Sequence, residues 1–215
     1  MLENSKIFTF PLMALALMVL PFSLGLSRQL KERSVRQSVY QDQPIEIVSV
    51  KVKGVPVNPK QKFSDDSDWL NGMSIKLLNT YNKPVAYVSV LVSAVHVKQD
   101  GTLNTDEDGK QISAGIELQY GVQPFIATTP SYGTTLQPGE TVDVVLSESV
   151  RDELYSLLRD RNSSTDVTEL TVRIYEVFFE GESNKKWQTG VMFKRDPRDP
   201  RHWIPIRHKT LQIVL

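Results

Sequence analysis

Val85-Ala-Tyr-Val-Ser-Val-Leu-Val-Ser-Ala-Val-His-Val97 is the stretch that decides the fold. Ala86, Val88, Val90, Val92 and Ala94 recur at period two, the spacing of one face of a β-strand. Tyr87, Leu91, Val95 and Val97 make much of the opposite face apolar too. A strand apolar on both faces belongs at the centre of a covered sheet.

The neighbouring segments supply that sheet. Upstream, Ser74-Ile-Lys-Leu-Leu-Asn79 leads through Thr80-Tyr-Asn-Lys-Pro84 into the central strand. Downstream, Ile116, Leu118, Tyr120 and Val122 alternate with polar residues, and Val142, Val144 and Leu146 do so after the Pro138-Gly139 turn. Ile45-Glu-Ile-Val-Ser-Val-Lys-Val52 changes phase between Ile47 and Val48, which predicts a bulge. Residues 57–68 read as a polar loop ending in Asp65, Asp66 and Asp68. Between 149 and 161 the period changes: Ser149 and Asp152 resemble a capping box, and Val150, Leu154, Leu157 and Leu158 follow helical spacing. A strand over 168–179, a hairpin partner over 187–193 and a short strand over 211–215 complete the chain.

Seven to nine short strands separated by turns predict a two-layer antiparallel sandwich. Two segments add a resemblance. Asn79-Thr-Tyr-Asn-Lys-Pro-Val85 resembles the strand–turn–strand of immunoglobulin-like modules of the FxLYD and CARDB kind. Leu136-Gln-Pro-Gly-Glu-Thr-Val142 is similar to their later Pro-Gly corner. The resemblance covers about 74–146, and the later strands extend it to about 193. The segment containing Trp187, Gly190, Arg195-Asp-Pro and Trp203 is similar to the tails of exported bacterial proteins of unassigned function. The expected fold is therefore all-β: an immunoglobulin-like antiparallel β-sandwich with one inserted α-helix (about 149–161), preceded by an N-terminal apolar helix.

The first residues give an address. A polar start with Lys6 is followed by an apolar run over 8–26 that Pro11 and Pro21 interrupt. This layout reads as an export signal or a single N-terminal transmembrane anchor. Arg28, Lys31, Arg33 and Arg36 follow the run, and positive charge tends to stay cytoplasmic. The signal layout is weighed above that flank, so the body is expected outside the cytoplasm, secreted, periplasmic or anchored. The organisation reads as 1–27 signal or anchor, 28–43 polar linker, and 44–215 sandwich with a C-terminal extension. About 190 residues then remain for the folded part.

Composition narrows the chemistry. With no cysteine, disulfides and thiolate metal sites are excluded. The 25 basic and 25 acidic residues balance but are unevenly placed. Residues 1–99 carry 12 basic and 7 acidic groups, 100–182 carry 5 and 16, and 183–215 carry 8 and 2. No basic domain with aromatic or glycine-rich readers is present, so nucleic acid is not an expected partner.

Three constellations stand out. Asn104, Asp106 and Asp108 with Gly109 have the alternating oxygen ligands of a calcium loop, but its twelfth position is Gly115. A solvated loop is the expected reading, and these three residues are the candidate calcium ligands. The repeat Arg195-Asp-Pro-Arg-Asp-Pro200 is expected to be a strap tied down by Trp187 and Trp203, with Arg198 and Arg201 as candidate partner-binding residues. Asn162-Ser163-Ser164 is a glycosylation triplet, of consequence in a eukaryotic secretory host.

Catalytic motifs are missing: no G-x-S-x-G elbow, no H-E-x-x-H pair and no phosphate loop. His96, His202 and His208 are the only histidines, and no catalytic residue or cofactor is expected. The expectation is a non-enzymatic binding or assembly module whose partner is an unknown protein or envelope component. The alternative is an envelope-associated hydrolase or calcium-dependent module using the acidic loops at 65–68 and 104–108.

Overall fold

The computed structural model describes residues 30–95, 102, 105, 113–123 and 135–206. In chain order these form β1 Lys31–Ser38, β2 Ile45–Val52, β3 Val55–Val57, β4 Lys62–Asp65, β5 Ser74–Asn79, β6 Val85–Val95, β7 Ser113–Gly121 and β8 Thr141–Val145. After these come α1 Glu148–Asp160, β9 Glu169–Phe179, β10 Lys185–Gln188, β11 Val191–Arg195 and β12 Trp203–Pro205. The smaller sheet has the order β3-β2-β5-β8, every pair antiparallel.

The larger sheet is organised about β9. β6 runs antiparallel along one edge of β9, and β7 flanks β6. The other edge is shared: β1 pairs in parallel with residues 169–173 of β9, and β10 pairs antiparallel with 176–178. β4 flanks β1, while β11 and β12 continue outward from β10. One end of the sheet, the entry pole, therefore gathers the starts of β1 and β9 and the end of β6. The far pole gathers the end of β9, the start of β6 and the β9–β10 and β11–β12 turns.

The core lies between the sheets, because alternating residues of each present an apolar face that water would otherwise solvate. Val88, Val90, Val92, Leu170, Val172 and Ile174 come from the larger sheet, and Ile45, Ile47, Val50, Ile75, Leu77 and Val144 from the smaller. α1 packs against β7 and adds Leu154 and Leu158. β6 is buried on both faces as its composition predicts, down to Tyr87 and Ser89 on the face away from the core. A register break between Val85 and Tyr87 puts Val85, rather than Ala86, into the core cluster. The phase change in β2 is a bulge between Ile47 and Ser49 that turns Val48 to solvent. Gly121 closes β7 at φ 81°, and a Cβ there would lie 2.0 Å from the Ala86 carbonyl oxygen. That position admits only glycine.

The turn segments at 79–85 and 136–142 meet at Asn79, which is fully buried. Its amide nitrogen donates to the Lys83 and Leu136 carbonyls, both at 2.9 Å, and its Oδ1 accepts from Tyr81 N at 3.0 Å. Its backbone N–H donates to Glu140 O, and its carbonyl accepts from Gly139 N, where φ is 78°. Val85 and Leu136 exchange two backbone hydrogen bonds beside it.

Several expectations change, the first being that the sandwich is not antiparallel throughout, since β1 and β9 pair in parallel. The stretch read as a polar linker, 28–43, contains β1, because one of its inward residues is a buried cation rather than an apolar side chain. The Arg33 guanidinium donates to Val167 O at 2.7 Å and Asp66 O at 3.1 Å, and pairs with Asp166 at 2.7 Å. The loop read over 57–68 contains β4. The single strand read over 187–193 is two, split by the Thr189-Gly190 turn with φ of 42° and 88°. The helix N-cap is Ser147, not Ser149: Val150 N donates to its Oγ at 3.4 Å. The apolar N-terminal helix, the strand over 211–215, His96 and His208 lie outside the described residues. Among those described, no helix is long and apolar enough to cross a membrane.

Candidate functional site

The Arg-Asp-Pro repeat forms a built corner at the far pole. Each aspartate accepts a hydrogen bond from the main chain two residues on: Asp196 Oδ1 from Arg198 N at 2.8 Å, and Asp199 Oδ1 from Arg201 N at 3.0 Å. These are tandem Asx turns, and the proline inside each fixes φ. Asp196 N donates to His202 O and His202 N to Asp199 O, which closes the loop on itself. The turns direct both carboxylates at backbone N–H groups. Arg198 and Arg201 are exposed, and their side chains make no ion pair among the described residues.

Arg195 fastens this corner to the sheet. Its Nε donates to Ser183 O at 2.9 Å and its Nη1 to Pro200 O at 2.6 Å. Its guanidinium lies 4.5 Å from the centroid of the Trp203 ring. Lys186 Nζ lies 4.8 Å from the same ring and pairs with Glu176 at 2.5 Å, a buried pair that Gln123 completes by donating to Glu176 Oε2. Phe178 meets both Tyr87 and Trp203 edge to face. Cation–π contacts of this kind contribute about 0.5–2 kcal/mol each. Trp203 is therefore the expected anchor of the repeat. Trp187 instead faces the core and packs edge-on against Tyr40.

Beside the corner, the turn after β9 carries Glu182, which ion-pairs with both Lys83 and Lys185. The Lys83 hydrogen bond outweighs burial and holds Glu182 below the usual carboxylate range. Glu182 is thus engaged, while Glu180 in the same turn is exposed and makes no ion pair among the described residues.

Other clusters have different roles. Asp65 and Asp66 both bind Lys53, and Asp68 lies 3.5 Å from Arg151. Burial works to lower the Lys53 pKa, but the two aspartates raise it on balance. Asp66 is buried rather than a surface-loop acid. An apolar groove of about 440 Å³ between β3 and β4 is lined by Val55, Pro56, Val57 and Phe63. Its lysines, Lys53 and Lys62, are held by Asp65, Asp66 and Glu32. On the outer face of the larger sheet, Ser89 Oγ lies 2.7 Å from Glu117 Oε2 but is fully buried, out of reach of a substrate. Burial, then the charges of Glu117 and Glu176, push the Tyr87 hydroxyl up to about 12, so it holds its proton at neutral pH.

Asn104, Asp106 and Asp108 lie outside the described residues. Among those described, no group of three or more acidic or histidine side chains is placed to hold a metal ion. Sequence reading singled out Arg198 and Arg201 through the repeat. It missed the Arg195 staple and the Lys186–Glu176 pair, whose partners are distant in sequence and carry no local pattern. These features define an all-β sandwich protein with a rigid basic corner. Compared with known proteins, the chain matches no family model, no curated protein and no solved structure.

Proposed function

We propose that this protein is a non-enzymatic binding or assembly module, built on an immunoglobulin-like sandwich and working outside the cytoplasm at the cell envelope. The observation that carries the reading is the far-pole corner, where two arginines stand on fixed turns whose acids are occupied. Preorganised donors of this kind lose little entropy on meeting a partner. The hydrogen-bonded meeting of the 79–85 and 136–142 turns supports the immunoglobulin-like assignment, since Asn79 gives both motifs a common purpose. The apolar run over 8–26 supports the address.

A C-terminal tag on the full chain tests the address. External protease is expected to remove the tag from spheroplasts while a cytoplasmic marker survives. A tag protected until lysis contradicts the reading. So does turnover of an envelope polymer that a single substitution abolishes.

A further inference from the structure

We infer that the Arg198–Arg201 corner docks an acidic segment of a protein partner, presented at the pole turned away from the chain's N-terminal attachment. This rests on the binding-module reading and adds the site, the partner's chemistry and its direction of approach.

The direction follows from β1. That strand begins at Lys31, so only residues 27–30 separate it from the end of the apolar run at Leu26. Four residues reach at most about 14 Å. Attachment through 8–26 therefore holds the entry pole close to the membrane. β9 starts at that pole, parallel to β1, and its 11 residues carry the chain roughly 30–35 Å to the far pole. The corner stands there, beyond Arg195.

This distance selects the partner. A membrane's surface charge is screened over about 8 Å at physiological ionic strength, so lipid beneath the entry pole does not act on the corner. The corner itself is complementary to acid. Residues 180–206 carry 6 basic and 4 acidic groups. Of the acids, Glu182 is ion-paired with lysines, and Asp196 and Asp199 accept hydrogen bonds from backbone N–H groups. Guanidinium forks pair well with carboxylates, and a rigid display of two gives register as well as attraction.

The test uses the full chain in phosphatidylcholine nanodiscs and a labelled peptide of alternating Asp and Glu, read by fluorescence anisotropy at physiological salt. The parent is expected to bind the peptide. Arg198→Glu with Arg201→Glu is expected to weaken binding at least about tenfold. Lys51→Glu with Lys60→Glu, an equal charge change elsewhere, is expected to leave it unaltered. Arg198→Gln with Arg201→Gln, checked for an unchanged thermal midpoint, reports the same loss if the reversal variant fails to fold. Equal loss in the lysine and arginine variants, or no loss in the arginine variants, overturns the docking site. Binding seen only to nanodiscs containing phosphatidylglycerol overturns it in favour of lipid. If the C-terminal tag is protected in spheroplasts, the extracytoplasmic reading fails whatever the peptide does. If the tag is exposed but the arginine variants bind normally, only the docking site fails.

Discussion

Asn79 is one buried amide that joins two turns separated by more than fifty residues. Alanine there leaves the Lys83 carbonyl without its side-chain donor and Tyr81 N without its acceptor, while the Leu136 carbonyl keeps the Val85 N–H. Each buried group left unsatisfied costs about 1–3 kcal/mol, so Asn79→Ala is expected to lose about 2 kcal/mol or more in urea denaturation. Asp166 is the residue that ties stability to acid. Burial pushes its carboxyl upward, but hydrogen bonds from Lys31 and Arg33, with their charges, hold it below the ordinary 3.8. A lowered native value means that the stabilisation is complete above pH 3.8 and disappears as pH falls through that lower value. The parent is expected to lose urea resistance over this acid window. Asp166→Asn, weaker at neutral pH, is expected to lose less there, and parallel pH profiles would contradict the assignment.

At the scale of elements, α1 closes the sandwich beside β7 and ends in a Schellman arrangement. Ser163 N donates to Leu158 O and Asn162 N to Arg159 O, with Asn162 at φ 52°. Asn162→Gly is expected to match or slightly exceed the parent's thermal midpoint, because glycine takes this φ without strain. Leu158→Ala, at the buried face of the same turn, is expected to cost about 2–5 kcal/mol. Measuring both separates the helix stop from its packing. The same element shows what a sequence exposes. The leucine spacing announced the helix and the valine alternation announced β6, since each repeats the period of its own backbone. β1 stayed hidden because Arg33 occupies an inward position and is satisfied by groups far along the chain. The β10–β11 turn stayed hidden because Thr189 takes a positive φ without a residue type that signals it.

For the whole molecule, the folded unit among the described residues includes β1 and so reaches ahead of residue 44. A chain starting at 44 lacks Val35 and Arg33 and leaves half of one β9 edge open. It is expected to aggregate or to show no cooperative thermal transition, while a chain starting at 30 unfolds cooperatively. Equal midpoints for the two would show that β1 is dispensable. The basic corner was only half legible at this scale. The repeat displays its arginines openly, but the Arg195 staple and the distance from the entry pole exist only once the strands are paired.

The parallel pairing of β1 with β9 also bears on biosynthesis. The hydrogen bond from Arg33 to Val167 spans 134 residues, so the first strand made is among the last to be seated. At about 5–20 residues per second, a ribosome needs roughly 7–27 s to deliver the partner of β1. Throughout that interval the nascent chain lacks its finished larger sheet, because the β9 edge that seats β1 has not yet been made.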